Sequence, residues 1–307
     1  MTTFKNVLVG LDYSEASKRA LKQAARLARG EGTGLIVLHA ISPRELEDLQ
    51  NYHSLSTDEI LAGVKKGIQD SVDEALGPKN TADCKVYVGS PYLELKRAAE
   101  FLDCDLLVLG SRGDYSGEGS TGFFAARCAR HSSIPVLLVR KGQAEVFRRV
   151  VACVDFSEVT PAVICTAAKV AVDGEATLHV IHATCPPWMR PGHLIYNLET
   201  VENNDYKAQF REMLEARMDA AIRASAKFFP GNLEHSIIEH PNAGQGILNF
   251  LDEEKAELAV VGRSGHTGQA IKEFLIGSTA ERLVHRSRCS VLTVPLENSL
   301  NQDIENP

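Results

Sequence analysis

One motif occurs twice in this chain, and the repeat constrains the fold more than any other sequence feature. The segment VLVGLDYSEAS at residues 7–17 reappears as VVACVDFSEVT at residues 150–160. The spacing of 143 residues that superposes Asp12 on Asp155 also superposes His39 on His182. A repeat that extends this far beyond one motif indicates two copies of a single folding unit. The chain of 307 residues is long enough for two domains with separate hydrophobic cores.

A second shared block sets the limits of the two domains. Residues 105–113 read DLLVLGSRG, and residues 257–265 read ELAVVGRSG. Each copy then continues to a closing apolar run, and the polar residues 140–149 connect the halves. We therefore predict one domain over residues 1–143 and a second over residues 147–298.

Short runs rich in Val, Leu and Ile alternate with longer segments of helical spacing in both halves. These runs are apolar without alternation, which is typical of strands covered on both faces. Strands alternating with helices indicate βαβ crossovers and hence an α/β fold with a doubly wound parallel sheet. The strands are predicted near residues 5–11, 35–41, 84–89, 105–110, 135–139, 149–154, 177–183, 234–239, 257–262 and 290–294.

Helix boundaries follow from apolar spacing and capping residues. The first helix is predicted to start at Ser14 or Ser17 and to end at Ala28. Its counterpart carries Thr160 as a hydroxyl N-cap, followed by Pro161 at the first helical position. Further helices are predicted at residues 58–75, 205–228 and 280–286.

Composition excludes several classes of protein. The formal net charge of −7 argues against a nucleic-acid binder, which needs a concentrated basic face. The longest apolar runs are far shorter than the roughly 18 residues of a membrane span. The N-terminal residues lead directly into a strand without a secretion-signal pattern. Seven scattered cysteines without a CxxC pair indicate small core residues in a cytoplasmic protein, and neither a disulfide framework nor a zinc site.

A phosphate-binding pattern stands in the second half. Ligands of open parallel sheets bind at the carboxyl ends of the strands, which places Asp155, Ala183 and Gly262 around one crevice. Gly262 opens the sequence GRSG, and residues 277–279 read GST immediately before a helix. Glycines, hydroxyls and the open amides of a helix N-terminus together bind phosphate. Neither GxxxxGK[ST] nor a GxGxxG after the first strand occurs, so P-loop hydrolases and dinucleotide oxidoreductases are excluded.

These residues resemble the universal stress protein family in its tandem, two-domain form, and the resemblance covers nearly the whole chain. It implies two flavodoxin-like or Rossmann-like sheets of five strands in the order 3-2-1-4-5. It also implies that the closing strands pair antiparallel, so that the domains pack as a pseudo-dimer. ATP-binding members hold ATP or another adenine nucleotide, with or without magnesium. Carried over residue by residue, the nucleotide site of the second domain consists of Asp155, Ala183, Val261, Gly262, Gly265, Gly277, Ser278 and Thr279.

Two departures from the family pattern bear on these sites. Eleven residues separate Gly265 from Gly277, two more than the nine of the family. In the first domain Phe123 and Phe124 follow Gly122, and a phenylalanine side chain cannot donate a hydrogen bond to phosphate. That site is therefore expected to be degenerate unless an earlier helix start lets residues 119–121 (GST) replace them. The residues of this lower-ranked site are Asp12, Ala40, Gly110 and Gly113.

Structural roles compete with functional ones at several positions. Asp12 and Asp155 suit the turn after a strand as well as a ligand. His39 and His182 are expected to be hydrogen-bonded structural groups and not catalytic or metal-binding ones. Two side chains of the glycine loop, those of Arg263 and His266, are candidates for phosphate contact.

Three functions compete on this basis. The first is a non-catalytic or very weakly catalytic stress-response protein whose second domain, and in a broader version also the first, binds an adenine nucleotide as a regulatory ligand. The alternative is a nucleotide-free interaction protein in which both phosphate sites have decayed. An adenylating enzyme is disfavoured, because no SGGxDS-like or HIGH-like motif is present. No catalytic residue and no metal site are assigned, and further homodimerisation stays open.

Overall fold

The chain divides into two compact units, with the boundary between Val146 and Phe147. The computed structural model describes residues 4–30, 32–53, 55–111, 121–142, 146–190, 204–226, 229–264 and 276–296. No helix in these ranges is long and apolar enough to cross a membrane.

The first domain is built from alternating strands and helices around one parallel sheet. The strand order is β3-β2-β1-β4-β5, which confirms the predicted order 3-2-1-4-5. Val7 lies opposite Leu35 on one side and Leu106 on the other, so β1 occupies the centre of the sheet. The elements are β1 (Asn6–Gly10), α1 (Glu15–Leu27), β2 (Gly34–Ile41), α2 (Pro43–His53), α3 (Thr57–Leu76), β3 (Asp83–Val88), α4 (Pro91–Phe101), β4 (Leu106–Gly110), α5 (Phe123–His131) and β5 (Val136–Val139).

The second domain repeats this architecture with the same register. Its strand order β8-β7-β6-β9-β10 is again 3-2-1-4-5 when counted within the domain. Val150 lies opposite Leu178 and Leu258, the positions equivalent to those around Val7. The elements are β6 (Arg149–Val154), α6 (Thr160–Gly174), β7 (Thr177–Thr184), a short 3-10 helix (Pro187–Met189), α7 (Asn204–Ser225), β8 (Leu233–Glu239), α8 (Ala243–Glu253), β9 (Leu258–Gly262), α9 (Ser278–Arg286) and β10 (Ser290–Val294).

A carboxylate fixes the fourth strand beside the first in each domain. The Asp105 side chain accepts hydrogen bonds from the amides of Lys5 and Asn6, at 2.8 and 3.1 Å. Glu257, its counterpart, accepts from the amides of Arg148 and Arg149 at the start of β6, the latter at 3.2 Å. Because these amides lie before Val7 and Val150, the first residues that pair with the fourth strand, the carboxylate satisfies donors that this strand pairing leaves open. The central strands are almost entirely buried, as predicted for a sheet covered on both faces.

The helix starts differ between the domains. Ser14 is the N-cap of α1, and its hydroxyl accepts from the amide of Ser17 at 3.1 Å. The prediction that Thr160 caps α6 is wrong: Val159 occupies the N-cap position, and Thr160 is already helical. The helix therefore begins one residue before the predicted start at Pro161. The backbone explains this difference, because the carbonyl of Ser157 accepts from the amide of Thr160 and forms a turn there.

The cysteines behave as the sequence predicted, with two partial exceptions. No disulfide joins any of the seven, and five are buried, whereas Cys165 and Cys185 are half-buried. Burial raises the pKa of the Cys104 thiol to about 11 and that of Cys128 to about 12. These thiols are therefore protonated at neutral pH and serve as small apolar groups.

Candidate functional site

The turn after the first strand has the same unusual geometry in both domains. Tyr13 and Phe156 follow the two aspartates and adopt φ angles of 62° and 58°, a region that bulky residues rarely occupy. One oxygen of Asp12 accepts from the amide and the hydroxyl of Ser14, at 3.1 and 2.5 Å. Asp155 accepts in the same way from Ser157. The turn therefore uses one carboxylate oxygen in each domain, and the other has no partner among the described residues.

Two histidines support these turns. Nδ1 of His39 lies 2.7 Å from the carbonyl oxygen of Leu11, and Nδ1 of His182 lies 2.9 Å from that of Val154. The aromatic residue in the strained turn packs against each ring, with centroid separations of 5.3 Å for Tyr13 and 4.3 Å for Phe156. Both rings thus donate to backbone and brace the turn, which confirms the structural role predicted for them.

A cavity of about 170 Å³ lies at the carboxyl edge of the second sheet. Asp155 follows β6, Ala183 lies near the end of β7, and Val261 and Gly262 end β9. The structure brings seven of the eight predicted residues of this site together around the cavity, and they are Asp155, Ala183, Val261, Gly262, Gly277, Ser278 and Thr279. The eighth, Gly265, lies outside the described residues, as does His266.

The N-terminus of α9 forms one wall of this cavity. Gly277 is the N-cap, its amide donates to the carbonyl of Arg263 at 2.7 Å, and no side chain of the described residues caps the helix. The next three amides, of Ser278, Thr279 and Ala280, have no acceptor within the described ranges. Open amides, the positive end of the helix dipole and two hydroxyls together form an anion-binding surface.

The glycine at the end of the fourth strand has a packing role that the motif does not reveal. A Cβ on Gly110 would lie 2.6 Å from the backbone carbon of Ala16 in α1. A Cβ on Gly262 would lie 2.5 Å from Cγ1 of Val159, at the start of α6. In both domains, therefore, the first helix crosses the end of the fourth strand too closely for a side chain.

Thr160 stands out within the wall of the second cavity. It is only 4% exposed, and its hydroxyl has no hydrogen-bond partner among the described residues. Its counterpart Ser17 donates to the carbonyl of Ser14 at 2.9 Å and accepts from the amide of Asp12 at 3.2 Å. The hydroxyl of Ser17 is thus satisfied within the protein, whereas the buried hydroxyl at the equivalent position in α6 has no partner among the described residues.

The first domain contains a larger cavity at the equivalent place. Its volume is about 390 Å³, and Asp12, Ala40 and Gly110 line it. Gly113, the fourth predicted residue, lies outside the described ranges. Sequence reasoning ranked this domain lower because of Phe123 and Phe124, yet the structure gives it the more spacious cavity.

The start of α5 replaces hydroxyls with aromatic rings. The helix begins at Phe123 after the N-cap Gly122, so the earlier start that would bring residues 119–121 to its N-terminus does not occur. The Phe123 side chain is 82% exposed and Phe124 is 37% exposed, and both line the cavity. Thr121 is instead buried and accepts a hydrogen bond from Arg140 at 3.2 Å.

Comparison with known proteins decides the family. The model of the universal stress protein family matches the chain twice, over residues 3–140 and 147–295. The chain belongs to the universal stress protein family. It carries the domain in tandem, as the resemblance in its motifs predicted.

Several universal stress proteins match about half of this chain, the length of one domain. One from Mycobacterium tuberculosis is 31% identical over 146 residues, covering 45% of this chain and 98% of that protein. The crystal structure of a universal stress protein from Archaeoglobus fulgidus has a TM-score of 0.65 at 20% identity, covers 95% of this chain and 98% of that one, and shows the same fold. Another solved universal stress protein, a complex with cAMP, is 26% identical over 45% of this chain and 98% of its own, with a TM-score of 0.35.

The universal stress protein motif did not include every residue that lines the cavities. Ala243 and Ile247 of α8 line the second cavity, and Pro91 and Leu95 of α4 line the first. A topological signal was available, because the helix that follows the third strand also starts at the carboxyl edge of the sheet. Thr160 carried no such signal, since its missing hydrogen bond depends on how the preceding turn closes.

Proposed function

We propose that this universal stress protein binds ATP or a related adenine nucleotide in the cavity of its second domain, as a regulatory ligand in the stress response. Three open amides and two hydroxyls at the start of α9, facing a cavity that Asp155 also lines, carry this proposal. The amides and hydroxyls suit a phosphate group, and the open oxygen of Asp155 suits a hydroxyl or amine of the nucleoside.

The lining of this cavity favours binding without turnover. Among its described residues Asp155 is the single carboxylate, and neither lysine nor arginine is present. Phosphoryl transfer requires groups that stabilise the developing charge and position the attacking water. We therefore propose a non-catalytic role, in the cytoplasm, where seven cysteines without a disulfide are expected. The antiparallel pairing of the closing strands and a homodimer stay predictions.

Thermal unfolding with and without nucleotide tests the proposal. A ligand that binds the folded state stabilises it in proportion to the logarithm of its concentration over Kd. We expect ATP to raise the unfolding temperature. The D155N substitution should lower the affinity for ATP at least tenfold, which corresponds to about 1.4 kcal/mol. The matched variant D12N should change ATP affinity less than twofold, because it alters the first cavity only.

Two results would contradict the proposal. Absence of a thermal shift with ATP, ADP and AMP would refute nucleotide binding and favour the nucleotide-free interaction protein. Release of phosphate from ATP above the buffer rate, lost in D155N, would refute the non-catalytic role. Native mass spectrometry of freshly purified protein would show whether a nucleotide accompanies it.

A further inference from the structure

The first cavity differs from the second in size and in chemistry. At about 390 Å³ it falls within the range of sites that enclose small organic molecules, whereas the second measures about 170 Å³. Buried leucines form much of its wall: Leu11, Leu95 and Leu109 are each 3% exposed. The cavity therefore offers an apolar interior to a ligand.

Two phenylalanines stand at its rim in place of the hydroxyls of the second domain. Phe123 exposes 82% of its surface and Phe124 exposes 37%, although both border this apolar space. Covering a phenylalanine side chain is worth about 1.5–3 kcal/mol, and aromatic partners gain further from edge or offset stacking. These rings favour a ligand with an aromatic surface.

The side-chain hydroxyls that line this cavity are engaged within the protein. Ser14 donates to Asp12 at 2.5 Å, and Ser17 donates to the carbonyl of Ser14 at 2.9 Å. The second carboxylate oxygen of Asp12 has no partner among the described residues and is open to a hydrogen-bond donor. No lysine or arginine occurs among the described lining residues of either cavity, and the start of α5 also lacks the two hydroxyls that the start of α9 offers to a phosphate.

The open amides at the start of α5 do not change this chemistry. The amides of Phe123, Phe124 and Ala125 have no acceptor within the described ranges. A neutral acceptor such as a carbonyl oxygen or a ring nitrogen also satisfies an open amide, with a weaker hydrogen bond than a charged acceptor makes.

We infer that the first domain binds an uncharged aromatic molecule that carries a hydrogen-bond donor, with its rings between Phe123 and the leucine wall and its donor on Asp12. Duplication has thus produced two sites of different chemistry, one for a phosphate-bearing ligand and one for a neutral aromatic ligand. This inference is independent of nucleotide binding by the second domain.

A matched pair of fluorescent probes tests the inference on the full chain. N-phenyl-1-naphthylamine is neutral and aromatic and has one N–H donor, and 8-anilino-1-naphthalenesulfonate adds a sulfonate to the same scaffold. We expect saturable fluorescence enhancement at one site for the neutral probe and at least tenfold weaker binding of the sulfonate. ATP should not compete with the neutral probe.

Variants assign the probe to the first cavity. The double variant F123S/F124T, which introduces the hydroxyls found in the second domain, should lower the affinity for the neutral probe at least tenfold. D12N should weaken it about threefold, because an amide is a poorer acceptor than a carboxylate. The control S278A/T279A should change probe affinity less than twofold. Circular dichroism should show each variant folded to the same extent as the parent.

Several outcomes would overturn the inference. They are absence of saturable binding of the neutral probe, equal or tighter binding of the sulfonate, and unchanged affinity in a folded F123S/F124T protein. An equal loss in S278A/T279A would place the probe in the second cavity and would also refute the assignment. If the double variant is unfolded, A40F, which fills the cavity from β2, replaces it with the same expected loss.

Discussion

The two domains share a backbone and differ in what surrounds the same cavity. Both place an aspartate in a strained turn braced by a histidine, and both end the fourth strand on a glycine. They differ at the starts of two helices, where Phe123 and Phe124 in one domain replace Ser278 and Thr279 in the other. The comparison teaches that a duplicated scaffold can keep its ligand-positioning geometry while the chemistry at its rim changes.

A second difference lies at the start of the first helix of each domain. Ser14 caps α1, so that Ser17 lies inside a closed set of hydrogen bonds. In α6 the helix begins two residues later in the repeat, at Thr160, and the Thr160 hydroxyl has no hydrogen-bond partner among the described residues. A shift of two residues in the helix start therefore accompanies the change from the hydrogen-bonded hydroxyl of Ser17 to the unpaired hydroxyl of Thr160.

The two glycines test how closely the shared scaffold is packed, and they should give the largest effect. G110A forces a Cβ against helix backbone and should lower the free energy of unfolding by about 2–3 kcal/mol. G262A meets the end of the Val159 side chain, which can rotate, and should lose about 1 kcal/mol. Urea denaturation measures both, with circular dichroism reporting on the whole chain and Trp188, the single tryptophan, reporting on the second domain. If both variants lose the same free energy of unfolding, the backbone of Ala16 and the side chain of Val159 accommodate an added methyl group equally well, which would contradict this prediction.

The hydroxyls of Ser17 and Thr160 should have effects of opposite sign. S17A removes two hydrogen bonds and leaves the amide of Asp12 unsatisfied, so the loss should be about 1–2 kcal/mol. T160V replaces a buried hydroxyl without a partner by a methyl of the same shape and should be neutral or stabilising by up to about 1 kcal/mol. The same denaturation experiments measure both. A marked destabilisation by T160V would mean that this hydroxyl has a partner in solution.

The smallest expected effect is a difference in pH dependence. Burial lowers the pKa of His179 in β7, with Glu234 acting in the opposite direction, and Ile36 occupies the equivalent position in the first domain. The unfolded chain therefore binds this proton first as the pH falls through the ordinary value of 6.5. The contribution of neutral His179 to stability is complete above that pH and is lost as the pH falls through the window below it. H179Q should reduce the acid sensitivity reported by Trp188, whereas an unchanged pH profile would contradict this assignment.

Much of the fold was predictable because its signals are local and were present twice. The strand predicted at residues 149–154 is observed at Arg149–Val154, and that at residues 290–294 at Ser290–Val294. Short apolar runs that alternate with helical segments have few plausible assignments other than buried strands of a parallel sheet. The cap of α6 was predicted wrongly. The residue types allow either Val159 or Thr160 as the N-cap, because Pro161 fits the first turn of the helix in both cases. The carbonyl of Ser157, which decides between the two starts, is a structural detail that residue preferences do not contain.

Cavity chemistry was predictable only in part. The position of Asp155, Gly262 and Gly277 around one space followed from their places at strand and helix ends. The size of each cavity did not, because it depends on side chains such as Leu95 and Ile247 that converge from helices elsewhere in the chain. The substitution of phenylalanines for hydroxyls indicated a lost phosphate site and did not reveal the larger apolar cavity behind them.

By itself, the sequence determined that this chain contains two copies of a five-stranded α/β domain of the universal stress protein family, because repeat, periodicity and motif spacing are properties of neighbouring residues. The tertiary structure alone decided that Gly110 is required against Ala16, that the first domain has the larger cavity and that Thr160 has no hydrogen-bond partner in the part of the chain that the structure describes. Each of these depends on groups brought together from separate elements, whose distances are fixed by packing and not by any local preference.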